Sequence, residues 1–203
     1  MHMNSQWLDY YEKSMQFEPN STVLEIAPGT GHFTEIYNRS NLKKYIAVEP
    51  SQLWFEILSS QHYNCKTEFH KCGYENYTPI DKIDYVVCTG LLYHLSSPVH
   101  FIETIANKYN PNIIYLETTG HMNSDLNNRD NFLGKFYKEE VDKLGNRHTD
   151  DITKKIVPYN LTITLPTIVK FFEHVGYSLE SYSDMSIANT SKHAVCSMIL
   201  KKN

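Results

Sequence analysis

The run Val23-Leu24-Glu25-Ile26-Ala27-Pro28-Gly29-Thr30-Gly31-His32-Phe33-Thr34 constrains this chain more than any other stretch. It opens as a short apolar segment with β-branched residues and one carboxylate. It breaks at Pro28-Gly29, and helical periodicity begins after Gly31. That order reads as strand, tight loop, helix. Glycine lets the backbone turn sharply and approach a ligand with no side chain between them. The start of the following helix offers unpaired N–H groups to an anion. Glu25 adds a charge beside the loop, so the segment suits a nucleotide-like cofactor.

The rest of the chain repeats the same alternation. A helix is expected over about 5–17, with Trp7, Leu8, Tyr11 and Met15 on one apolar face. Strands are expected at Thr22–Ile26, 45–48, 65–70, 83–88 and 112–117, with helices after the first, second and fourth. Ser51 is placed to cap the helix that carries Leu53, Trp54, Ile57 and Leu58. Strand and helix in alternation imply right-handed crossovers and an α/β fold with a doubly wound, mostly parallel seven-stranded sheet. A helix opening at Pro166 and stopped by Gly176 precedes two closing strands, about 177–185 and 193–200. Their short connection predicts an antiparallel hairpin, so the C-terminal strand runs against the others.

Between 118 and 165 the rhythm changes. The segment is polar and carries Arg129, Lys135, Lys138, Arg147 and His148. Helical turns are expected near 131–144. A connection of this length in a compact chain reads as a lid or substrate-recognition insertion. With 203 residues and no linker or internal repeat, the expectation is one domain over 1–203 that includes this insertion. The net charge of −4 announces no nucleic-acid footprint. The four cysteines are widely spaced, without a CxxC pair. With no apolar run of membrane-spanning length and no signal peptide, a reduced, cytoplasmic setting is expected. The fifteen tyrosines suggest amphipathic contact surfaces.

Two cofactors compete for the loop. A dinucleotide fingerprint calls for a third glycine where Thr34 stands. S-adenosylmethionine has no pyrophosphate. It presents an ammonium, a sulfonium, a ribose diol and an adenine. Glycines suit its amino-acid end, and a carboxylate can answer its ammonium. Glu49, closing the second strand, can accept both ribose hydroxyls of either cofactor.

Three segments follow in order at suitable spacing: Glu25-Ile26-Ala27-Pro28-Gly29-Thr30-Gly31, Ala47-Val48-Glu49-Pro50, and Asp84-Tyr85-Val86-Val87-Cys88-Thr89-Gly90-Leu91-Leu92-Tyr93-His94-Leu95. Together they resemble class I S-adenosylmethionine-dependent methyltransferases, with a Rossmann-like fold, over nearly the whole chain. Ala27-Pro28 stands where that family commonly has Gly-Cys or Gly-Ala. The resemblance implies that Glu25, Ala27, Pro28, Gly29 and Gly31 line the methionine end. It implies that Glu49 holds the ribose with Pro50 or Ser51 near the adenine, and that Cys72, Gly73 and Tyr74 edge the adenine. Thr89 and Gly90 then lie beside the transferable methyl, and Tyr10 or Tyr11 closes over the cofactor.

An oxygen acceptor benefits from a base. His94 and His121 are the candidates, since both fall at the carboxyl edge of the sheet, where open α/β folds bind ligands. No carboxylate stands at the tip of the fourth strand for a metal, and none is expected. That tip also lacks the Asn/Asp-Pro-Pro-aromatic loop that resembles base amino-group methylation. The closing segment from Leu165 to Tyr177 is similar to enzymes acting on small molecules, sugars or, in one branch, a tRNA wobble uridine. The expectation is O-methylation of a small metabolite, sugar or natural product. An RNA-modifying enzyme and a non-catalytic S-adenosylmethionine-binding subunit are the alternatives. A small-molecule or carbohydrate acceptor is the expected partner, rather than nucleic acid or membrane. No oligomeric state follows from the residues.

Overall fold

In the computed structural model, residues 5–121, 135–137, 140–141, 155–156, 160–184 and 193–203 are described. The N-terminal helix α1 (Ser5–Ser14) leads into β1 (Thr22–Ile26), whose five residues are all buried. Then come α2 (Thr34–Arg39), β2 (Lys44–Val48), α3 (Gln52–Ser59) and β3 (Lys66–His70). β4 (Tyr85–Thr89), α4 (Pro98–Thr104) and β5 (Ile113–His121) complete the parallel part. Short strands β6 (Lys135–Tyr137), β7 (Glu140–Val141), β8 (Lys155–Ile156) and β9 (Asn160–Thr162) follow. The chain closes with α5 (Leu165–His174), β10 (Tyr177–Asp184) and β11 (His193–Lys202).

The main sheet has seven strands in the order β10-β11-β5-β4-β1-β2-β3. β3, β2, β1, β4 and β5 pair in parallel, and β11 runs antiparallel between β5 and β10. The strand order reverses between β1 and β4, so the crevice above their carboxyl ends is where such a sheet takes a ligand. Alternation along the strands divides the core. Leu24, Ile26, Ile46, Val48 and Val86 face α4 and α5 through Phe101, Ile102, Ile168 and Phe172. Val23, Tyr45, Ala47, Val87 and Tyr115 face the other helices through Tyr11, Ile36, Tyr37 and Leu58.

Three expectations change. β5 runs four residues beyond Glu117, because β11 pairs with it as far as His193 opposite His121. The segments 135–137 and 140–141, expected within helical turns, are strands; β6 pairs with β9 and β7 with β8. Lys135-Phe136-Tyr137 gains a partner strand in Asn160-Leu161-Thr162, and cross-strand pairing outweighs weak local helix preference. Nine tyrosines, among them Tyr37, Tyr45 and Tyr115, are core residues rather than contact surface. Their rings pack on one another: Tyr37 stacks on Tyr45 at 4.6 Å and Tyr45 on Tyr63 at 5.1 Å.

The helix expected to end at Tyr109 widens over Ile105–Tyr109 into a π-turn, closed by Asn110 in the left-handed region. All four cysteines are free thiols. Among the described residues no helix is long and apolar enough to cross a membrane. Arg129, Lys138, Arg147 and His148 lie outside the described residues.

Candidate functional site

The loop after β1 is built on positive φ angles: Ala27 at 55°, Gly29 at 59° and Gly31 at 81°. Ala27 ties the loop to the second strand, donating its N–H to the Val48 carbonyl at 2.9 Å. A side chain at Gly31 would displace the tips of Gln61, 2.8 Å away, and Leu58, 2.9 Å away, at a φ that favours glycine. Thr34, in the place of a third glycine, uses its hydroxyl on the loop itself, donating to the Gly31 carbonyl at 2.8 Å. It also bonds to the Gln61 amide, and Gln61 in turn donates to the Thr30 carbonyl. Gln61 thus brackets the loop from the far end of α3. Nothing in the local sequence signals that contact. α2 begins only at Thr34, three residues past Gly31, and its six residues supply no long helix end to an anion.

Glu49 comes directly after β2 and is buried. Its Oε2 accepts from the Gly29 N–H at 3.0 Å and its Oε1 from the Ser51 N–H at 2.8 Å. Burial pushes this carboxyl up, and the two N–H donors pull it back. Each oxygen retains a lone pair, so ribose hydroxyls can still donate to it. Pro50 beside it is exposed. Ser51 caps α3, its hydroxyl accepting from the Trp54 N–H. The Trp54 ring lies near Gly29, a neighbour that the helical pattern alone marks only as apolar.

Glu25 is placed differently from the expectation. Strand alternation turns it onto the face of Val23 and Tyr45, away from the free side of the loop. It is 1% exposed. Its Oε2 accepts from the Tyr45 hydroxyl at 2.6 Å, while Oε1 has no hydrogen-bond partner. Burial pushes the carboxyl up to about 7, against the pull of the Tyr45 and Tyr37 hydroxyls; the Glu49 charge adds to the rise. It is thus buried beneath the start of the loop.

Cys72 and Gly73 are half-buried on the turn after β3. Tyr74 opens a short 3-10 turn, Tyr74–Asn76, with its ring in the core against Phe101 at 5.0 Å. The Tyr74 ring is thus turned into the core, and its carbonyl accepts from the Tyr109 hydroxyl. Thr89 ends β4, and Gly90 follows with φ 72°, its N–H donating to the Glu117 carbonyl at 3.3 Å. Glu117 itself is buried in the middle of β5, opposite Thr89 at the tip of β4, and accepts from the Tyr11 hydroxyl. That bond fastens α1 over the strand tips, with Tyr11 also against Phe33 at 4.9 Å.

His94 lies on the 3-10 turn Leu92–His94 past β4, its ring 3.9 Å from that of Tyr93. His121 is the last residue of β5. Both positions are on the carboxyl edge of the sheet. β9 lies beside the His94 turn and beside β5, so the insertion reaches this edge. Among the described residues no cluster of three or more His, Cys, Asp or Glu side chains could hold a metal ion.

The residues fit a cationic ligand better than a pyrophosphate. Two buried carboxyls, Glu25 and Glu49, flank the loop, and no lysine, arginine or histidine compensates either among the described residues. An anion there would meet like charge at close range wherever these carboxyls ionise.

Comparison with known proteins agrees. The family model described as "Methyltransferase domain" matches residues 2–179. The tRNA U34 carboxymethyltransferase of Pseudoalteromonas atlantica is 25% identical over 119 residues, 55% of this chain and 37% of that protein. The matched segment thus spans little more than a third of that relative's length. Among solved structures, a Listeria monocytogenes protein described as an S-adenosylmethionine-dependent methyltransferase superposes with a TM-score of 0.71 at 13% identity, covering 98% of this chain and all of the other. The N-terminal domain of EvdMO1 with S-adenosylhomocysteine bound gives 0.64 at 18% identity, covering 98% and 80%. At such identities the structural likeness concerns the fold.

Proposed function

The chain belongs to the methyltransferase-domain family of class I S-adenosylmethionine-dependent enzymes, and on that premise we propose that it transfers the methyl group to an oxygen of a small metabolite, sugar or natural product. The observation that carries the cofactor part is the uncompensated pair of buried carboxyls around the glycine loop.

Gly29 and Gly31 would let the cofactor's amino-acid end approach the backbone. Glu49, held from two sides by N–H donors, would orient the ribose. The exposed Pro50 and the backbone of Cys72, Gly73 and Tyr74 would border the adenine. Thr89 and Gly90 would stand beside the reacting end. When bound, the cofactor supplies a methyl group already activated on a sulfonium. The chain's own task is then alignment and exclusion of water, which can account for much of the rate. α1, fastened by Tyr11 to Glu117, covers this edge.

His94 or His121 would take the proton of an acceptor hydroxyl. Both sit past or at the strand ends where an acceptor must lie, and β9 of the insertion borders the His94 turn. We include the 118–165 segment, less the residues that extend β5, as the acceptor-shaping part of a single unit. The net charge of −4 favours an uncharged or small acceptor over a polyanion. A second reading, an RNA acceptor, is favoured by the identity to a tRNA-modifying enzyme.

One experiment tests both levels. S-adenosylhomocysteine in excess should raise the melting temperature, and NAD should not. Stabilisation by NAD alone removes the cofactor assignment. Label transferred from S-adenosylmethionine should then appear in a metabolite pool rather than in tRNA, and should fall sharply in His94→Ala or His121→Ala. Label in tRNA overturns the small-molecule acceptor. Full activity in both variants leaves catalysis to alignment.

A further inference from the structure

The turn after β3 is tied into the fold through its carbonyl groups. The His70 carbonyl accepts from the N–H of Glu49 at 3.0 Å and from that of Cys72 at 3.1 Å, and the Gly73 carbonyl accepts from the Asn76 N–H at 3.0 Å. The next two carbonyls are taken by side chains 35 and 33 residues further along: that of Tyr74 accepts from the Tyr109 hydroxyl, and that of Glu75 from Lys108 Nζ at 2.7 Å. Tyr109 is buried, and its ring lies 6.1 Å from that of Tyr77, which packs on His70 at 4.6 Å. Both donors come from the π-turn Ile105–Tyr109, where the Asn110 N–H reaches back to the Ile105 carbonyl at 2.8 Å. A π-turn rotates consecutive side chains less about the helix axis than an α-turn does, so two neighbours in sequence can address two neighbouring carbonyls. Each carbonyl from Gly73 to Glu75 thus has a donor inside the chain. The N–H groups of Gly73 and Tyr74 have no acceptor among the described residues. The Glu75 carboxylate lies over Gly73, its Oε2 2.7 Å from where a Cβ would stand.

We propose that Lys108 and Tyr109 are positioning residues that set the purine preference of the cofactor site by drawing the Glu75 and Tyr74 carbonyls toward the π-turn. They act through the backbone of Cys72, Gly73 and Tyr74, and so the proposal rests on the S-adenosylmethionine reading above, in which that backbone borders the adenine. With its carbonyls held back, the turn offers N–H donors, and the Glu75 carboxylate is the acceptor beside them. Adenine presents the complement: a ring nitrogen that accepts and an amino group that donates. Hypoxanthine reverses both, with a ring N–H and an exocyclic oxygen. It would set donor against donor and leave polar groups unpaired at a site built to pair them. Released from Lys108 and Tyr109, the turn can rotate a carbonyl to the edge and accept from that ring N–H. Neither side chain touches the cofactor.

The test needs no methyl acceptor and compares two ligands that differ only at the purine. S-adenosylhomocysteine and S-inosylhomocysteine, which carries an oxo group for the 6-amino group, are titrated calorimetrically into the wild-type chain and into Tyr109→Phe, Lys108→Met and Lys108→Arg. The wild type should bind the adenosine ligand about tenfold more tightly or better. Tyr109→Phe and Lys108→Met should each narrow that ratio several-fold, and Lys108→Arg, which keeps a donor, should restore it. A tie that merely supports the fold lowers the melting temperature and both affinities together, and leaves the ratio where it was. An unchanged ratio in Tyr109→Phe and Lys108→Met therefore overturns the inference and leaves the cofactor reading standing, as does equal binding of the two ligands by the wild type. Should Tyr109→Phe not fold, Lys108→Met, whose side chain is half-buried, decides alone. Absence of binding by either ligand to the wild type overturns the cofactor reading, and this inference with it.

Discussion

Ala27 sits in the left-handed region at φ 55°, where a Cβ crowds the following carbonyl. The family commonly has glycine there, and the backbone angle supplies the physical reason. Ala27→Gly should stabilise the folded chain by about 1 kcal/mol, read from urea unfolding midpoints at constant slope. A loss of stability would show that the Ala27 methyl makes packing contacts worth more than the strain. Gly31 is the opposite case. Its φ of 81° strains any L side chain, and a methyl group there would also have to push aside the ends of Gln61 and Leu58. The glycine at 31 is legible in the sequence as loop chemistry. The Gln61 bracket is not, because it depends on where α3 delivers the end of the chain segment that follows the loop.

At the scale of elements, the helix that covers the site is fastened by a buried hydrogen bond. Tyr11 reaches from α1 to Glu117 in the middle of β5, and the carboxyl is pushed up by burial. Removing the hydroxyl leaves a buried carboxyl without its donor. Tyr11→Phe should therefore cost about 1–3 kcal/mol. Amide exchange should quicken over Ser5–Ser14 before it does in β1 and β4. Uniform quickening across the sheet would mean that Tyr11 supports the core rather than the helix. The element pattern is readable where periodicity is local. β1 and the start of α4 fall where the residues place them, and β2, β3 and β4 shift by one or two positions. β5 reads short in the sequence because its last four residues are polar, and their pairing partner in β11 lies far along the chain. The short strands at 135–137 and 140–141 are hidden for the same reason: each needs a partner from 155–162. Glu25 stands out in the sequence, but its direction does not. A strand's alternation shows which face a residue takes, and the contents of that face come from three other elements.

For the molecule as a whole, three buried carboxyls among the described residues, Glu25, Glu49 and Glu117, have raised proton affinity, chiefly through burial. The folded chain then holds protons that the unfolded chain has released. Their contribution to stability is complete below the ordinary carboxylate range and is lost as pH rises, for Glu25 through about 7. Glu25 alone should account for a fall on the order of 3 kcal/mol between about pH 4.5 and pH 8. Urea unfolding of the ligand-free chain at the two ends of that window should show the fall, and saturating S-adenosylhomocysteine should shrink it. Constant stability across the window would mean that these carboxyls are already ionised when folded.

The placement of β11 has a consequence for how the chain matures. β11 is an interior strand, paired with β5 over 193–201 and with β10 over 196–202. During synthesis, β5 therefore keeps an open edge of unpaired N–H and C=O groups until the final strand has emerged. An edge of that kind is a template for pairing with other chains. The sheet cannot be finished from its N-terminal end outward, however early β1 and β2 pair. A chain stopped at residue 192 should keep helical signal yet lose cooperative unfolding and self-associate, as read by circular dichroism and light scattering. A monomeric, cooperatively melting product would show that β5 and β10 can close on each other without it.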